Sequence, residues 1–248
     1  MTGLVSVTFR GLSQTEVIAL AKQAALDGIE WGGDVHVPAG EIKTAQRVGE
    51  ETRAAGLQVV SYGSYYRLLA QEQPETAFLP WLETAKALGA PNVRIWAGGK
   101  TPDEADDTFR RAAAAELHRL CDMAGEKGLT VSLEYHRGTL TQTAQSALAL
   151  VKEAGSSNLF LYWQPNPDIP HEKNLEELQA VKPYLSHLHV FHWRNPNNTR
   201  YPLAEGEKEW RAYIEAAGKE HGYLMEFVRE AAVPQFQEDA RTLLHWLG

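Results

Sequence analysis

Short apolar runs alternate along the whole chain with longer segments of helical period. Eight of these runs are nearly continuous in apolar and β-branched residues, which is typical of parallel strands covered on both faces. In chain order they are "LVSVTF", "GIEWG", "QVVSYGS", "NVRIWAG", "TVSLEYH", "LFLYWQP", "SHLHVFHW" and "YLMEFV". Eight strand–helix units in 248 residues predict a single domain, residues 1–248, folded as a (β/α)8 TIM barrel of the α/β class.

Local signals predict where some of the helices begin. Ser13 and Glu16 form a capping box ahead of the first amphipathic segment. Thr101, Pro102 and Glu104 combine a cap, a first-turn proline and an acid, and they predict the start of the fourth helix. Glycines just ahead of the second, third and fifth strands predict the turn from helix back to strand, at Gly28, Gly56 and Gly128.

Composition narrows the class of protein. The formal net charge is −8 and no long run of Lys or Arg is present, which argues against a nucleic-acid-binding surface. No apolar stretch has the length of a membrane span, and "MTGLVSVTFRGLSQ" lacks the pattern of a signal peptide. Cys121 is the only cysteine, so no internal disulfide can form, and we expect a buried packing residue. These features predict a cytoplasmic globular protein with no membrane partner.

Polar side chains stand at the carboxyl ends of the predicted strands, where TIM barrels place their active sites. The last four strands each supply one candidate: Glu134, Gln164, His189 and Glu226. Side chains from adjacent strand ends converge over a barrel mouth, and carboxylate, amide and imidazole groups together suit Mn²⁺, Mg²⁺ or Zn²⁺. The pattern therefore predicts a divalent metal site with these four residues as ligands.

A structural explanation of the two acids also stays open. Glu134 could pair with Arg94 or Arg137, and Glu226 with Arg229, because these arginines lie near the same strand ends. Aligned polar positions on four consecutive strands favour the metal site over such ion pairs.

Further residues at these strand ends are candidates for substrate binding. An imidazole can donate a hydrogen bond or a proton to a substrate oxygen. Aromatic rings at the mouth could stack on the apolar face of a sugar, although packing in the barrel is the commoner role for any single ring. The candidates are His136, Trp31, His36, Tyr66 and Trp96.

From "ALDGIEWGGDVHV" to "LMEFV" the chain resembles the xylose isomerase-like TIM barrels, in particular the sugar phosphate isomerase/epimerase group. In that family Glu, Asp, His and Glu from strands five to eight hold a metal ion, and Glu134, His189 and Glu226 match three of these ligands. Gln164 in "YWQPNP" stands where the family commonly has Asp, and the His that follows this Asp in the family is absent. Arg194 is close to the position of a family arginine that contacts substrate.

The amide at position 164 changes what the resemblance implies about the metal. Gln164 can offer an oxygen but no charge, so the ligands would carry two negative charges rather than three. We therefore expect a more readily lost ion, or a preference shifted towards Zn²⁺ or Co²⁺.

By resemblance, the predicted activity is a metal-dependent isomerase or epimerase that acts through a cis-enediolate on a small carbohydrate or keto-polyol. In the family two opposed glutamates move the proton, which gives Glu134 and Glu226 that role here. Two alternatives stay open. One is a dehydratase of a cyclic keto-polyol on the same scaffold, and the other is a non-catalytic sugar-binding barrel with a weakened metal site. Whether the chain forms a homo-oligomer is left open as well.

Overall fold

A closed barrel of eight parallel strands forms the centre of the computed structural model, which describes residues 1–248. The barrel strands are β1 (Thr2–Val5), β2 (Gly28–Gly32), β3 (Gln58–Arg67), β4 (Asn92–Trp96), β5 (Thr130–Leu133), β6 (Leu159–Trp163), β7 (Leu185–Val190) and β10 (Gly222–Met225). Between β7 and β10, β8 (Trp193–Arg194) and β9 (Thr199–Arg200) form a short antiparallel ribbon outside the barrel. Pairing of β1 with β10 closes the barrel. The predicted (β/α)8 fold is confirmed.

Eight α-helices surround the barrel and cover the outward faces of its strands. They are α1 (Gln14–Gln23), α2 (Ile42–Ala54), α3 (Pro74–Leu88), α4 (Asp107–Glu126), α5 (Ala144–Ala154), α6 (His171–Val181), α7 (Glu207–Ala217) and α8 (Val233–Leu247). Strand and helix side chains share one continuous apolar core. None of these helices has the length and apolar character that a membrane crossing requires. Cys121 on α4 is fully buried, and burial raises the pKa of its thiol to about 12, which confirms its predicted packing role.

The first predicted helix start is confirmed and the fourth is wrong. At α1 both arms of the Ser13–Glu16 capping box are present. At α4 the helix begins at Asp107, and Asp106 caps it by accepting a hydrogen bond from the backbone N–H of residue 109 at 2.7 Å. The earlier motif closes on itself instead, since the Glu104 carboxylate accepts from the Thr101 amide at 2.9 Å. Because that turn is complete, the helix uses the next available cap.

Apart from β2 and β3, the strands end earlier than the apolar runs indicate. The run "LVSVTF" leaves the sheet after Val5, where Ser6–Phe9 form a 3₁₀ turn and the Ser6 hydroxyl accepts from the Gly32 amide at 2.8 Å. The strands before Glu134 and Glu226 stop one residue short of these acids. The neighbouring strand still holds each glutamate through a backbone hydrogen bond of 3.0 Å. The Glu134 amide donates to the carbonyl of Ile95, and the Glu226 amide donates to the carbonyl of Val190. The two acids therefore stand at the rim of the barrel on fixed backbone.

The glycine predictions are confirmed at two positions of three. Gly56 and Gly128 take φ values of +84° and +71°, which turn the chain from helix to strand. Gly28 is instead the first residue of β2, and the turn before it uses Ala25 at φ +56°. A Cβ atom at Gly28 would lie 2.6 Å from the carbonyl oxygen of Gln58. Glycine is needed there because two strands approach closely.

Candidate active site

A cavity of about 300 Å³ opens at the carboxyl ends of the barrel strands. This is the end at which TIM-barrel enzymes carry their active sites. Its polar wall consists of Arg10, Arg94, Glu134, His136, Gln164 and Glu226. Aromatic rings form much of the remaining wall, from Tyr65, Trp96, Trp193 and Phe227.

An arginine joins two acids at the base of this cavity. Arg94 on β4 donates from Nε to Glu30 Oε1 at 2.9 Å and from Nη1 to Glu134 Oε2. All three side chains are almost fully buried. Burial alone would raise the pKa of Glu30, but Arg94, His189 and the Tyr162 hydroxyl together outweigh it and hold that pKa below its usual range. The ion pair of Glu134 with Arg94, considered above as an alternative, is therefore present, whereas Arg137 pairs with Asp168 at 2.7 Å.

His189 connects this ion-pair group to the other predicted ligands. It is fully buried on β7. Its Nδ1 atom lies 3.2 Å from Gln164 Oε1, 3.5 Å from Glu226 Oε2 and 4.0 Å from Glu134 Oε1. On the other edge of the ring, Nε2 lies 3.6 Å from Glu30 Oε1. The structure thus brings together all four side chains that the strand-end pattern selected as ligands.

The residues around His189 Nδ1 fit a divalent cation in chemistry and in charge, although their side chains do not lie close enough together to form a complete metal site. Ligands that bind one ion at about 2.1 Å lie roughly 3 to 3.5 Å from each other. Two of the three oxygens are at such distances from Nδ1, and Glu134 needs to approach by about 0.5 Å. Three buried carboxylates share one guanidinium and one imidazole here, which leaves an excess of negative charge that a divalent cation would offset.

The pKa values of Glu226 and His189 respond to this excess of negative charge. Burial raises the pKa of Glu226 to about 7, with the charge of Glu134 adding to the shift and that of His189 opposing it. Burial alone would lower the pKa of His189, but the charges of Glu226 and Glu30 raise it overall. Glu226 can therefore take up or release a proton near neutral pH, as a general acid or base must.

Two of the predicted substrate-binding residues line the cavity. His136 and Trp96 lie side by side, with ring centroids 4.4 Å apart. His136 Nδ1 is 2.6 Å from the carbonyl oxygen of Arg137, so Nδ1 is assigned as the donor. Its Nε2 atom is the nitrogen left for the cavity.

Trp31 and His36 lie away from the cavity. Trp31 is fully buried and its Nε1 donates to Thr52 Oγ1 on α2 at 3.2 Å. His36 is also buried, with Nε2 3.1 Å from the carbonyl oxygen of Leu12. Both rings pack between the barrel and its helices.

Tyr66 and Arg194 are likewise outside the cavity. The Tyr66 hydroxyl donates to Glu116 Oε1 at 2.8 Å inside the helix layer. Arg194 is exposed on the ribbon after β7, lines a neighbouring groove and donates from Nε to His192 Nε2 at 3.1 Å. The structure brings neither side chain to the four ligand candidates.

Several residues in the cavity wall or beneath it were not selected from the sequence. Glu30 lies beneath the cavity and is the one charged residue of the apolar strand β2, which was the signal that could have identified it. Trp193 and Phe227 follow the last two barrel strands and place their ring centroids 5.7 Å apart. Arg10 follows the 3₁₀ turn after β1 and donates from Nε to Asp34 Oδ2 at 2.5 Å. No motif marked Arg10, because it lies beyond the first strand.

The closed parallel barrel and the buried polar cluster at its carboxyl end define a TIM barrel with an enzyme-type site. The sequence pattern of the xylose isomerase-like TIM barrels matches residues 18–247, and the chain belongs to this family. The predicted family is thereby confirmed.

Known relatives include both dehydratases and epimerases. A 3-dehydroshikimate dehydratase of Bacillus anthracis is 24% identical over 217 residues, which are 80% of this chain and 72% of that protein. The crystal structure of a probable 3-DHS dehydratase, AsbF, from the same organism has a TM-score of 0.83 at 20% identity, covering 98% of this chain and 99% of that one.

Two further structures share the fold over 99% of this chain and 97% of their own. IolI protein with a bound zinc atom has a TM-score of 0.81 at 16% identity. D-psicose 3-epimerase, solved in the presence of D-fructose, has a TM-score of 0.75 at 16% identity. At these identities the structures establish the fold alone.

Proposed function

We propose that the protein is a divalent-metal-dependent dehydratase of a small keto-polyol. The observation that carries this proposal is the unequal environment of the two glutamates at the mouth. Arg94 bonds one oxygen of Glu134, whereas Glu226 has no arginine or lysine partner. A dehydratase needs only one carboxylate that is free to accept a proton, since a single proton leaves the carbon beside the carbonyl group.

Glu226 is the base in this proposal. It takes the proton from the carbon next to the substrate carbonyl, and the electron pair of that bond forms the enolate. Held by Glu134, Gln164, His189 and Glu226, an ion such as Mn²⁺, Mg²⁺, Zn²⁺ or Co²⁺ would polarise the carbonyl group and stabilise negative charge on its oxygen.

His136 is the acid that completes the reaction. Its Nδ1 is engaged by a backbone carbonyl, so a proton on Nε2 is the one that can reach a bound substrate. As the bond from the β-carbon to its hydroxyl breaks, that hydroxyl takes the proton and leaves as water, and a carbon–carbon double bond forms beside the carbonyl. Return of the proton from Glu226 to His136 through solvent restores the starting state.

The cavity supports a small ring-shaped or short-chain substrate. Its volume of about 300 Å³ is at the lower end of the range for ligand pockets. Trp96 and Trp193 offer apolar faces to carbon-bound hydrogens, while the polar wall faces hydroxyl and carbonyl oxygens. The sequence relative named as a dehydratase adds support for the reaction type.

An isomerase or epimerase is the second candidate. One observation favours it, because Glu134 Oε1 is left open on the Nδ1 side of His189 and two carboxylates therefore face the cavity. With Glu134 returning a proton to the face opposite Glu226, the same enolate would give an isomer in place of an unsaturated product.

As the compartment we propose the cytoplasm, because the single cysteine is a buried thiol with no partner.

Nuclear magnetic resonance in D₂O separates these candidates. Protein supplied with Mn²⁺, with the ion chelated before measurement, is incubated with a panel of ketoses, inososes and short keto-acids. The dehydratase predicts a product lighter by one water and an ultraviolet band of the new conjugated ketone. An isomerase predicts a product of unchanged composition with solvent deuterium beside the carbonyl. If neither product forms while the ion is bound, the protein is a sugar-binding barrel and both proposals are wrong.

A further inference from the structure

Glu30 is a buried acid that the proposed reaction does not use. It is fully buried in the middle of β2 and does not line the cavity. Its Oε1 atom accepts from Arg94 Nε at 2.9 Å, while Oε2 has no hydrogen-bond partner. Because burying a carboxylate costs free energy unless its neighbours compensate, this placement calls for an explanation.

The nearest unsatisfied group belongs to His189. Its buried Nε2 atom also lacks a hydrogen-bond partner, and Glu30 Oε1 is 3.6 Å away, slightly beyond hydrogen-bond length. The opposite ring nitrogen, Nδ1, faces Gln164 and Glu226 on the cavity side. The imidazole therefore lies between a carboxylate that only accepts protons and a group of metal-ligand candidates.

The strand between β2 and β4 leaves space for this arrangement. Gly63 on β3 lies beside the ion pair, and a Cβ atom there would come within 2.7 Å of Arg94 Nη2 and 2.9 Å of Glu30 Oε1. Arg94 also bonds Glu134 on its other side. One guanidinium therefore holds the buried acid and a ligand candidate in place together.

We propose that Glu30 is a positioning residue that accepts a hydrogen bond from the Nε2–H group of His189. This bond keeps the proton on Nε2 and presents the Nδ1 lone pair to a divalent cation. The cation part of this inference rests on the proposed function. A carboxylate behind a metal-bound histidine fixes the ring's tautomer and orientation and makes the ligand nitrogen more basic. Glu30 occupies that place without contact to the substrate.

The test uses ¹⁵N-histidine-labelled full-length protein, with and without Zn²⁺, in Glu30→Gln and in wild type. In zinc-loaded wild type we expect the His189 proton on Nε2 in a hydrogen bond to Glu30, whereas without the ion Nδ1 also donates to Gln164 Oε1. In Glu30→Gln that proton signal should lose its charge-assisted hydrogen-bond shift, and Zn²⁺ affinity should fall about 10- to 100-fold. Glu116→Gln is the matched control, since it neutralises a buried acid of the helix layer that accepts from Tyr66.

A second variant keeps the test decisive if Glu30→Gln does not fold. Glu30→Asp keeps a carboxylate for Arg94 but shortens the side chain by one methylene, which withdraws the acceptor from His189 Nε2. Its histidine signals are compared with those of wild type, and the same loss of the Nε2 hydrogen bond is expected.

Two results would overturn the positioning role. One is a zinc-loaded wild type with the His189 proton on Nδ1, and the other is unchanged zinc affinity in a folded Glu30→Gln protein. A wild type that binds no zinc, but keeps its Nε2 proton bonded to Glu30, would support the Glu30–His189 bond and contradict the metal-dependent function.

Discussion

Buried acids occur both in the helix layer and at the barrel mouth, and the two regions satisfy them differently. In the helix layer Glu116 accepts from the Tyr66 hydroxyl at 2.8 Å and from a backbone amide. Asp239 on α8 accepts from the Gln235 side chain and from a backbone amide, each at 2.8 Å. Neutral donors of the fold complete each of these sites.

At the mouth the acids share charged partners and remain incomplete. Glu30 and Glu134 divide one guanidinium between them, and His189 is near three carboxylates. Glu30 Oε2 and His189 Nε2 still have no hydrogen-bond partner, which is uncommon for buried polar atoms. In the proposed function this difference separates acids that only complete the fold from acids that bind a ligand.

The largest expected difference between the regions concerns activity. Glu226→Gln should lower kcat by about 10²- to 10⁴-fold, because an amide cannot accept the substrate proton. Glu116→Gln should leave kcat unchanged. The measurement is the turnover of the ketone identified in the D₂O panel. An equal loss of kcat in both variants would show that Glu226 and Glu116 do not differ in their effect on catalysis.

Stability should respond strongly to Arg94. Arg94→Met leaves Glu30 and Glu134 buried without their cation, and we expect a loss of about 3 to 5 kcal/mol in the free energy of unfolding. Arg119→Met breaks an exposed ion pair with Glu75, which water already screens, so the free energy of unfolding should hardly change. Urea denaturation compares the two variants, and similar losses would mean that the buried ion pairs contribute no more than a surface pair.

A pH-dependent difference is expected at Asp239 in the helix layer. Burial raises the pKa of Asp239 to about 6, so the folded state binds this proton more tightly than the unfolded state does. The contribution to stability is therefore greatest at low pH and is lost as pH rises from about 4 through about 6.

Asp239→Asn should remove this dependence and stabilise the protein at about pH 7.5 by on the order of 2 kcal/mol. The amide oxygen can still accept both hydrogen bonds. Thermal unfolding of both proteins at about pH 4 and about pH 7.5 provides the check. A constant difference at both values would contradict the raised pKa.

The smallest expected effect is at Gln164. Gln164→Asp places a charged oxygen near His189 Nδ1 and should tighten Zn²⁺ or Mn²⁺ binding about tenfold, roughly 1.4 kcal/mol. Isothermal titration provides the measurement, with wild type as the reference. Equal or weaker affinity, with the ion still at the mouth, would assign Gln164 to substrate contact.

The barrel itself was predictable because its signal repeats eight times along the chain. The site was partly predictable for the same reason, since Glu134, His189 and Glu226 each end one of these repeats. The ion pair of Glu30 with Arg94 joins residues 64 positions apart. No local pattern connects them, so its formation depends on strand register and rotamers.

Side-chain alternation explains why several aromatic candidates lie elsewhere. Glu30 faces the barrel interior, so its neighbour Trp31 on the same strand faces the helices. Tyr66 lies near the end of β3, where the register with β4 shifts, and its ring turns into the helix layer. Residue type and position near a predicted strand end made these residues candidates for stacking on a sugar, but strand geometry decides which way each ring points.

The most direct test of the central claim is the metal content of purified protein. The account predicts about one divalent ion per chain after preparation in medium with Mn²⁺ or Zn²⁺, and its loss in Glu226→Ala. Glu116→Gln, treated in the same way, should keep the ion. Full occupancy in Glu226→Ala would contradict the assignment of the barrel mouth as the metal site.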